Sequence, residues 1–464
     1  MTFKKNTAEN FSKLMAAYFL ALLILFISIQ DVYAQAVKTS VKHPAWTRNK
    51  MIYEVNIRQY TKSGTFKELE KELPKLKDMG VGILWLMPVN PIGEKNRKGT
   101  LGSYYAVKDY MTVNPEYGTM KDFKSLVDRT HKLGMKIIID WVANHTSWDN
   151  VLTKTHPEFY RKDSTGNFMA PVKDWTDVIQ LDFDNKDLWK YMIGALKFWV
   201  KEGNVDGFRC DVAGMVPTPF WDEARKELDK LKPVFMLAEA ENAELHRNAF
   251  DMTYGWDLHH LMNDIAQDRN NASAINTYLA RQDSLYPHDA YRMYFTTNHD
   301  ENSWNGTEFE RMKGGVEAFS VLTFTFWQSM PLIYSGQEAG LNKRLQFFEK
   351  DPIEWKDSEY RKFYTALIKL KLANKALENG AAGGEMKLLS SKDDKAVYAF
   401  TRQRGNDKVL VVLNLSGEKK DAQLEGQSMK GSYRELFSKE KKNFSNKEAV
   451  KLNPWEYKVY VSGR

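Results

Sequence analysis

Short apolar segments alternate with amphipathic helical segments over most of the chain, and this alternation is what most constrains its fold. The apolar segments are nearly continuous hydrophobic runs, which is typical of strands buried on both faces of a parallel sheet. Eight such strands are predicted, at residues 51–55, 81–86, 135–140, 206–211, 234–239, 251–254, 292–298 and 332–335. Eight strands with helices between them predict an α/β protein with a closed (β/α)8 barrel, the TIM-barrel fold.

Two regions depart from the barrel pattern. Residues 146–185, after the third strand, are rich in Trp, Pro and Asp and predict a short excursion over the barrel mouth. From about residue 380 the pattern changes to residue-by-residue alternation, and Gly405-Asn406-Asp407 separates two alternating runs, as in a β-hairpin. We therefore predict a barrel domain over residues 46–376 and a C-terminal all-β domain, a β-sandwich, over residues 380–464.

The first residues form a segment of their own. Lysines precede an apolar run at residues 14–29, and residues 32–34 (VYA) then place small side chains at the positions that a signal peptidase recognises. This is the pattern of a secretory signal peptide, and the run is shorter than the ~20 residues that a spanning helix needs. We expect residues 1–34 to be removed on export to the periplasm or the exterior, without stable membrane insertion afterwards. A retained anchor remains as the alternative.

Composition excludes some classes of protein. Cys210 is the single cysteine, so the chain forms no internal disulfide and depends on core packing. The net charge is +7, and no basic stretch is interleaved with aromatic residues, so we expect no nucleic-acid partner. Aromatic residues make up 13% of the chain, which suits sugar binding and an aromatic-rich core equally well.

Four predicted strands lead directly into a carboxylate: Asp140, Asp211, Glu239 and Asp300. A charge at the end of an apolar strand is costly to bury unless the strand delivers it to a functional mouth. The spacings between the last three are close to one and two barrel repeats, so they should converge at the C-terminal face. Any one of them alone is explained equally well as an isolated buried ion pair or a helix cap.

A pair of converging carboxyl groups is what glycoside hydrolysis requires, one as nucleophile and one as general acid. Arg209 precedes Asp211 by two positions and therefore lies on the same side of the strand, where its cation would keep Asp211 ionised. Asp211 and Glu239 end neighbouring strands, which predicts the separation of about 5–5.5 Å found in retaining enzymes. Glu241, two residues after Glu239, is a rival candidate for the general acid. Cys210 lies on the side of the strand opposite to Arg209 and Asp211, as a packed core thiol would.

Four segments resemble the signature blocks of the α-amylase family of glycoside hydrolases, in the family's order. They are residues 140–145 (DWVANH), residues 207–211 (GFRCD), the strand that leads to Glu239, and residues 298–300 (NHD). Residues 102–105 (GSYY) with 109–110 (DY), and residues 180–185 (QLDFDN), agree more weakly. The resemblance covers the chain from about residue 46 to its end and is specific because several separate motifs carry it.

The resemblance implies a role for each of these residues. Asp211 would be the nucleophile, Glu239 the acid/base and Asp300 a third carboxylate that holds sugar hydroxyls. Substrate-binding roles are implied for Tyr105, Asp140, His145, Arg209 and His299. Trp148, Trp175 and Trp304 fall in predicted mouth loops, where stacking on sugars and ordinary loop packing are equally good interpretations.

No cofactor is expected for the chemistry. Asn144 and Asp182 match two ligand positions of the family's structural calcium, and oxygen-only coordination suits that ion. No third side-chain ligand is found in the sequence, so we assign no metal ligands.

The resemblance implies a retaining hydrolase of α-1,4-glucosidic bonds in α-glucans or maltooligosaccharides. However, Gly214 and Met215 stand where endo-acting α-amylases usually carry Lys-His. Val212 resembles the residue that α-1,6-active relatives carry at the same position. A cyclomaltodextrinase, a neopullulanase, or an α-1,6-active or transglycosylating relative is the alternative. A non-catalytic glucan-binding or partner-assembly protein is a more remote alternative. Such a protein would be expected to lack at least one of the three carboxylates, and all three are present here.

Overall fold

The computed structural model describes residues 38–462 and contains a closed barrel of eight parallel strands. The first ten strands are β1 (Ile52–Val55), β2 (Ile83–Leu86), β3 (Lys136–Val142), β4 (His145–Ser147), β5 (Val178–Gln180), β6 (Gly207–Asp211), β7 (Phe235–Ala238), β8 (Met252–Tyr254), β9 (Tyr291–Tyr294) and β10 (Ser329–Tyr334). All except β4 and β5 form the barrel, in the closed order β1-β10-β9-β8-β7-β6-β3-β2. The predicted (β/α)8 architecture is confirmed.

Helices cover the outside of the barrel and connect its parallel strands. The α-helices span Ile57–Tyr60, Phe66–Met79, Met120–Lys132, Leu152–Thr155, Lys186–Lys201, Thr218–Asp229, Trp256–Ala266, Ala274–Leu285, Glu308–Met312, Val316–Thr325 and Glu359–Ala373. Met120–Lys132 shows why they form where they do. It begins with a capping box between Thr119 and Asp122, and it buries Phe123, Leu126 and Val127 at helical spacing on the face that packs inward.

The barrel interior is a packed core rather than a pore. Inward-facing side chains form one buried cluster: Ile52, Ile83, Trp85, Ile138, Phe235, Leu237, Met252, Tyr254, Tyr291, Met293, Phe295, Met330 and Leu332. Residues of alternate register on the same strands, such as Ile137 and Ile139 of β3, pack outward against the helices. This two-sided burial explains the continuous apolar runs. It also leaves the C-terminal ends of the strands as the place for a mouth.

The excursion after β3 begins almost at once. β4 and β5 pair antiparallel, with His145 opposite Gln180, and form a two-stranded sheet beside the barrel. Strand β9 is shorter than the segment predicted for it, because it ends at Tyr294. Asn298 then accepts the N–H of Glu301 at 2.8 Å, and a helical turn follows. Asp300 is therefore positioned by a loop rather than by a strand end.

The C-terminal part is all β, as predicted. Its strands are β11 (Glu385–Leu388), β12 (Ser390–Ser391), β13 (Val397–Arg404), β14 (Asp407–Asn414), β15 (Lys420–Glu425), β16 (Gly431–Glu435), β17 (Lys441–Phe444), β18 (Lys447–Leu452) and β19 (Tyr457–Ser462). They form a six-stranded sheet, β11-β13-β14-β19-β16-β17, and a three-stranded sheet, β12-β15-β18. In β13, Val397 and Ala399 face the core between the two sheets, whereas Tyr398 and Phe400 join the cluster that includes the barrel helices. Period-2 alternation thus lets one sheet contact both the second sheet and the barrel.

Within residues 38–462, the structure contains no helix that is both long enough and apolar enough to cross a membrane. The predicted signal peptide, residues 1–34, lies outside the described residues.

Candidate active site

Arg209 is the centre of a buried charge cluster at the C-terminal ends of the strands. Its side chain is fully buried, and Nη1 donates to Asp211 Oδ1 at 2.9 Å and to Asp140 Oδ1 at 3.0 Å. Nη2 lies 2.8 Å from Glu239 Oε1, an ion pair outside hydrogen-bond geometry. Nε donates to the hydroxyl of Tyr254 at 3.1 Å. One guanidinium therefore contacts carboxylates delivered by β3, β6 and β7.

Asp211 and Glu239 come from neighbouring parallel strands, since β6 pairs with β7. The second oxygen of Glu239 accepts the backbone N–H of Val212 at 2.7 Å. Val212 has a φ of 36°, in the left-handed region that a β-branched residue rarely adopts. Strain of this kind is typical of functional sites. Here it accompanies a turn that aims the N–H after Asp211 at the neighbouring carboxyl group.

Burial raises the pKa of Asp211, the neighbouring Glu239 raises it further, and Arg209 opposes both effects. Burial also raises the pKa of Glu239. The charge of Arg209 lowers this pKa, and the charge of Asp300 raises it further. Raised pKa values mean that the pair holds a proton more readily than two isolated carboxyl groups do. Arg209 Nη1 donates a hydrogen bond to Asp211, which favours the charged form of that carboxyl group.

His299 connects three other groups of the cluster. Its Nε2 lies 2.7 Å from the Tyr105 hydroxyl and 3.3 Å from Asp300 Oδ2, and its Nδ1 contacts Glu54 directly. Burial lowers the pKa of His299, but the charges of Asp300 and Glu54 outweigh it and raise the pKa to about 9. His299 is therefore a cation at neutral pH, with both ring nitrogens donating.

Asp140 and His145 complete the predicted set. Asp140 Oδ2 accepts from Trp85 Nε1 at 3.2 Å and from the Tyr105 hydroxyl at 3.0 Å, so Asp140 orients both Arg209 and Tyr105. His145 Nε2 lies 3.9 Å from Asp211 Oδ2. Burial lowers the pKa of His145 to about 3, which keeps this ring neutral.

A cavity of about 460 Å³ opens over the cluster. Its lining residues are Lys98, Ser103, Tyr105, His145, Trp175, Asp177, Val178, Asp211, Val212, Glu239, Asp300, Trp304, Phe347 and Phe348. The structure thus brings all eight predicted site residues together. Five of them line the cavity, while Arg209, Asp140 and His299 stand behind it and hold the others.

Sequence reasoning missed several contributors. Glu54 lies in β1, is fully buried and contacts His299; its charge within an otherwise apolar strand was a signal that could have revealed it. Tyr254, which accepts from Arg209, carries no such signal because tyrosine is common in strands. Phe347 and Phe348 line the cavity from the loop after β10, and nothing in their local sequence sets them apart from core residues.

The structure separates the alternatives that the sequence left open. Trp175 and Trp304 line the cavity, whereas Trp148 is outside its lining and donates to the carbonyl of Thr176 at 3.0 Å. Glu241 also lies outside the lining and pairs with Arg292 at 2.7 Å. Burial raises the pKa of Glu241 to about 7, but the group has no access to the cavity as a rival acid.

The two candidate calcium ligands, Asn144 and Asp182, contact other protein groups in the structure. Arg161 Nε lies 3.5 Å from Asp182 Oδ1, and its Nη2 lies 3.5 Å from Asp184 Oδ2, so a guanidinium already balances this carboxylate pair. The side chain of Asn144 points its amide nitrogen to within 3.3 Å of His145 Nδ1. Among residues 38–462, no group of three His, Cys, Asp or Glu side chains is arranged to hold a metal ion.

Two family models match the chain. The α-amylase catalytic domain matches residues 31–175 and 162–409, and the α-amylase SusG C-terminal domain matches residues 397–457. Together they cover both parts of the fold described above.

Individual proteins agree with these models. The chain is 24% identical to Alpha-amylase 2 of Dictyoglomus thermophilum over 441 residues, which is 85% of this chain and 73% of that one. A solved maltogenic alpha-amylase from Thermotoga neapolitana is 32% identical with a TM-score of 0.82, covering 89% of this chain and 98% of its own. An alpha-amylase from Lactobacillus plantarum is 34% identical with a TM-score of 0.80, covering 90% and 100%. The chain belongs to the α-amylase family of glycoside hydrolases.

Proposed function

We propose that the protein hydrolyses α-1,4-glucosidic bonds in maltooligosaccharides and related short α-glucans, with Asp211 as nucleophile and Glu239 as acid/base. The observation that carries the assignment is Arg209, which contacts both carboxyl groups from within the barrel and orients them toward one cavity. A retaining mechanism, which is general in this family, needs such a close pair.

The reaction has two steps. In the first, Asp211 attacks the anomeric carbon while Glu239 gives its proton to the glycosidic oxygen, so the old bond breaks and a glycosyl ester forms on Asp211. In the second, Glu239 removes a proton from a water molecule that attacks the same carbon and releases Asp211. Two inversions give net retention. Because Glu239 alternates between acid and base, its raised pKa suits both steps.

The remaining groups position the sugar. Asp300 would accept hydroxyl hydrogen bonds, and protonated His299 behind it would hold Asp300 and Tyr105 in place. Neutral His145 can donate and accept at the sugar on the side of Asp211. Tyr105 lines the cavity, and its ring is held there by stacking on His299, with ring centroids 5.4 Å apart.

Short substrates are favoured by the shape of the site. The cavity has the size of a small-molecule pocket rather than a long groove, and five aromatic side chains line it. The positions after Asp211 carry Gly214 and Met215, which offer few contacts to the leaving sugars. Relatives named neopullulanase, cyclomaltodextrinase and maltogenic alpha-amylase support the same substrate range. An α-1,6-active or transglycosylating enzyme would use the same residues and is the second candidate, favoured by Val212.

Product analysis tests the assignment. We expect faster initial cleavage of maltooligosaccharides than of amylose, and NMR of the first product should show the α-anomer. Pullulan and panose separate α-1,4 from α-1,6 cleavage, and longer products would reveal transglycosylation. A β-anomeric product would overturn the mechanism, and faster cleavage of long amylose would overturn the substrate preference.

Export is part of the proposal. The signal pattern at residues 1–34 supports a mature protein that begins near Gln35 in the periplasm or outside the cell, where oligosaccharides shortened elsewhere would reach it. The intact mass of the exported protein measures this, and a mass that includes residues 1–34 would contradict it. Arg161 already lies 3.5 Å from Asp182, one of the two candidate calcium ligands, so we expect a chelator to leave the melting temperature unchanged.

A further inference from the structure

We propose that Lys98 and Asp177 close one end of the cavity, so that the enzyme binds the non-reducing end of an α-glucan and acts from that end. The inference rests on the proposed function, because it specifies which part of the glucan the same cavity accepts. It follows from how the loops are arranged around the barrel and from the contacts between them.

The loops that line the cavity are not spread evenly around the mouth. Strands β9, β10, β1, β2 and β3 are consecutive in the closed barrel, so the loops that follow them stand side by side. Those loops supply the wall of the cavity: Lys98, Ser103 and Tyr105 after β2, His145, Trp175, Asp177 and Val178 after β3, Asp300 and Trp304 after β9, and Phe347 and Phe348 after β10. The opposite arc, β6 to β8, supplies only Asp211, Val212 and Glu239.

The first joint of this wall lies between the loops after β9 and β10. The backbone N–H of Leu345 donates to Asn302 Oδ1 at 2.9 Å, and the Ser303 hydroxyl donates to the Leu345 carbonyl at 2.9 Å. The rings of Trp304 and Phe347 are 5.1 Å apart. Polar and aromatic contacts thus hold these two loops together.

The second joint lies between the loops after β10 and β2. Leu101 N donates to the Phe348 carbonyl at 3.0 Å, and Thr100 N donates to Glu349 Oε1 at 2.9 Å. From below, buried Arg58 donates to the carbonyls of Gly102 at 3.0 Å and Phe347 at 3.3 Å. This joint is fixed by the backbone and by a buried cation.

The third joint, between the loop after β2 and the excursion after β3, is made at the cavity by side chains. Lys98 Nζ lies 3.3 Å from Asp177 Oδ1 and donates to the carbonyl of Asp174 at 2.8 Å. Both Lys98 and Asp177 line the cavity, and the side chain of Asp177 is only 8% exposed. Backbone hydrogen bonds, such as Ser147 N to the Val107 carbonyl at 3.0 Å, also join these two loops. At the cavity itself, the Lys98–Asp177 ion pair joins them and presents a donor and an acceptor to whatever fills the cavity.

The catalytic pair gives the direction of the substrate. Glu239 must reach the oxygen that leaves, so the departing sugars lie on the β7 side, where few loops line the cavity. The sugars that remain on Asp211 extend the other way, toward the wall, and they end in the non-reducing terminus. A closed wall accepts a terminus but leaves no path for a continuing chain. Lys98 and Asp177 are then placed to hydrogen-bond the terminal hydroxyls.

Two maltoheptaoside substrates with the same chromogenic reducing end test this proposal. One has a free non-reducing end, and the other has that end blocked by a 4,6-acetal. We expect the wild-type enzyme to cleave the blocked substrate with a kcat/KM at least about 100-fold lower than the free one, as a site that rejects an added group does. Lys98→Met and Asp177→Asn should each raise the ratio of blocked to free cleavage by about tenfold.

Lys95→Met is the matched control. Lys95 lies on the same loop, is exposed and stands outside the cavity lining, so its substitution should leave the ratio unchanged. Equal cleavage of both substrates by the wild-type enzyme would overturn the end specificity. An unchanged ratio in both the Lys98 and Asp177 variants would overturn their role in it. Failure to cleave either substrate would instead contradict the proposed function.

Discussion

Strand β6 carries a buried aspartate at each end, and the two behave in opposite ways. Asp206 directly precedes the strand, at the face remote from the cavity. It lies 2.6 Å from His131 Nε2 and 3.0 Å from Lys136 Nζ, and it accepts the N–H of Ile137 at 3.0 Å. Burial alone would raise the pKa of Asp206, but these partners outweigh burial and lower it.

Asp211, at the other end of β6, shares a single guanidinium with Asp140 and Glu239. Here burial and the neighbouring carboxylates outweigh Arg209, and the pKa of Asp211 rises. Both aspartates are buried, so burial is not what separates them. What separates them is the balance of cations and carboxylates around each one. Several cationic and N–H partners at Asp206 stabilise the fold, whereas too few cations at Asp211 leave carboxyl groups that can react.

The largest expected effect comes from removing the charge of Asp211. Asp211→Asn should lower kcat by at least ~10³-fold, since no second group can form the glycosyl ester, while circular dichroism remains that of the wild type. Asp206→Asn, the matched change at the other end of β6, should leave kcat unchanged. The contrast between Asp211 and Asp206 would be contradicted if Asp211→Asn kept more than about a tenth of the activity or if both variants lost activity equally.

The next largest expected effect distinguishes the general acid from the nucleophile among the carboxyl groups around Arg209. Glu239→Gln should slow substrates with poor leaving groups by about 10²–10⁴-fold, because general acid help is worth that much. A nitrophenyl glycoside, whose leaving group needs little protonation, should lose far less in the first step. Burst kinetics on the two substrates measure this. Equal losses would contradict the acid role of Glu239.

The smallest effect concerns stability and has a defined pH dependence. Asp206 has a pKa below its unfolded value of about 3.9, so its contribution to stability is complete above that pH and is lost as pH falls through the folded pKa. Asp206→Asn should therefore lower the free energy of unfolding by about 1–3 kcal/mol at pH 7. In urea titrations, the difference from wild type should begin to shrink as pH falls below about 4 and should be smaller at pH 3. A constant difference across this range would show that charge is not what Asp206 contributes.

Much of the fold could be predicted from the sequence because its signals are local. Continuous apolar runs and helical periodicity located all eight barrel strands, and alternation identified the C-terminal β region with its turn at Gly405. The period-2 rule placed Arg209 and Asp211 on one side of β6, and their contact at 2.9 Å agrees with it. The site could be anticipated to the same extent, because strand ends meet at one face of a barrel.

The sequence by itself therefore determined the barrel, the C-terminal β architecture and the residues that converge at the mouth. Only the tertiary structure decided that Glu54 joins the cluster, that Phe347 lines the cavity, that Glu241 is paired elsewhere, and that Lys98 pairs with Asp177 at the cavity. The physical reason is distance along the chain. Periodicity depends on neighbouring residues, whereas charge balance and loop contacts depend on partners tens to hundreds of residues away, which only packing brings together.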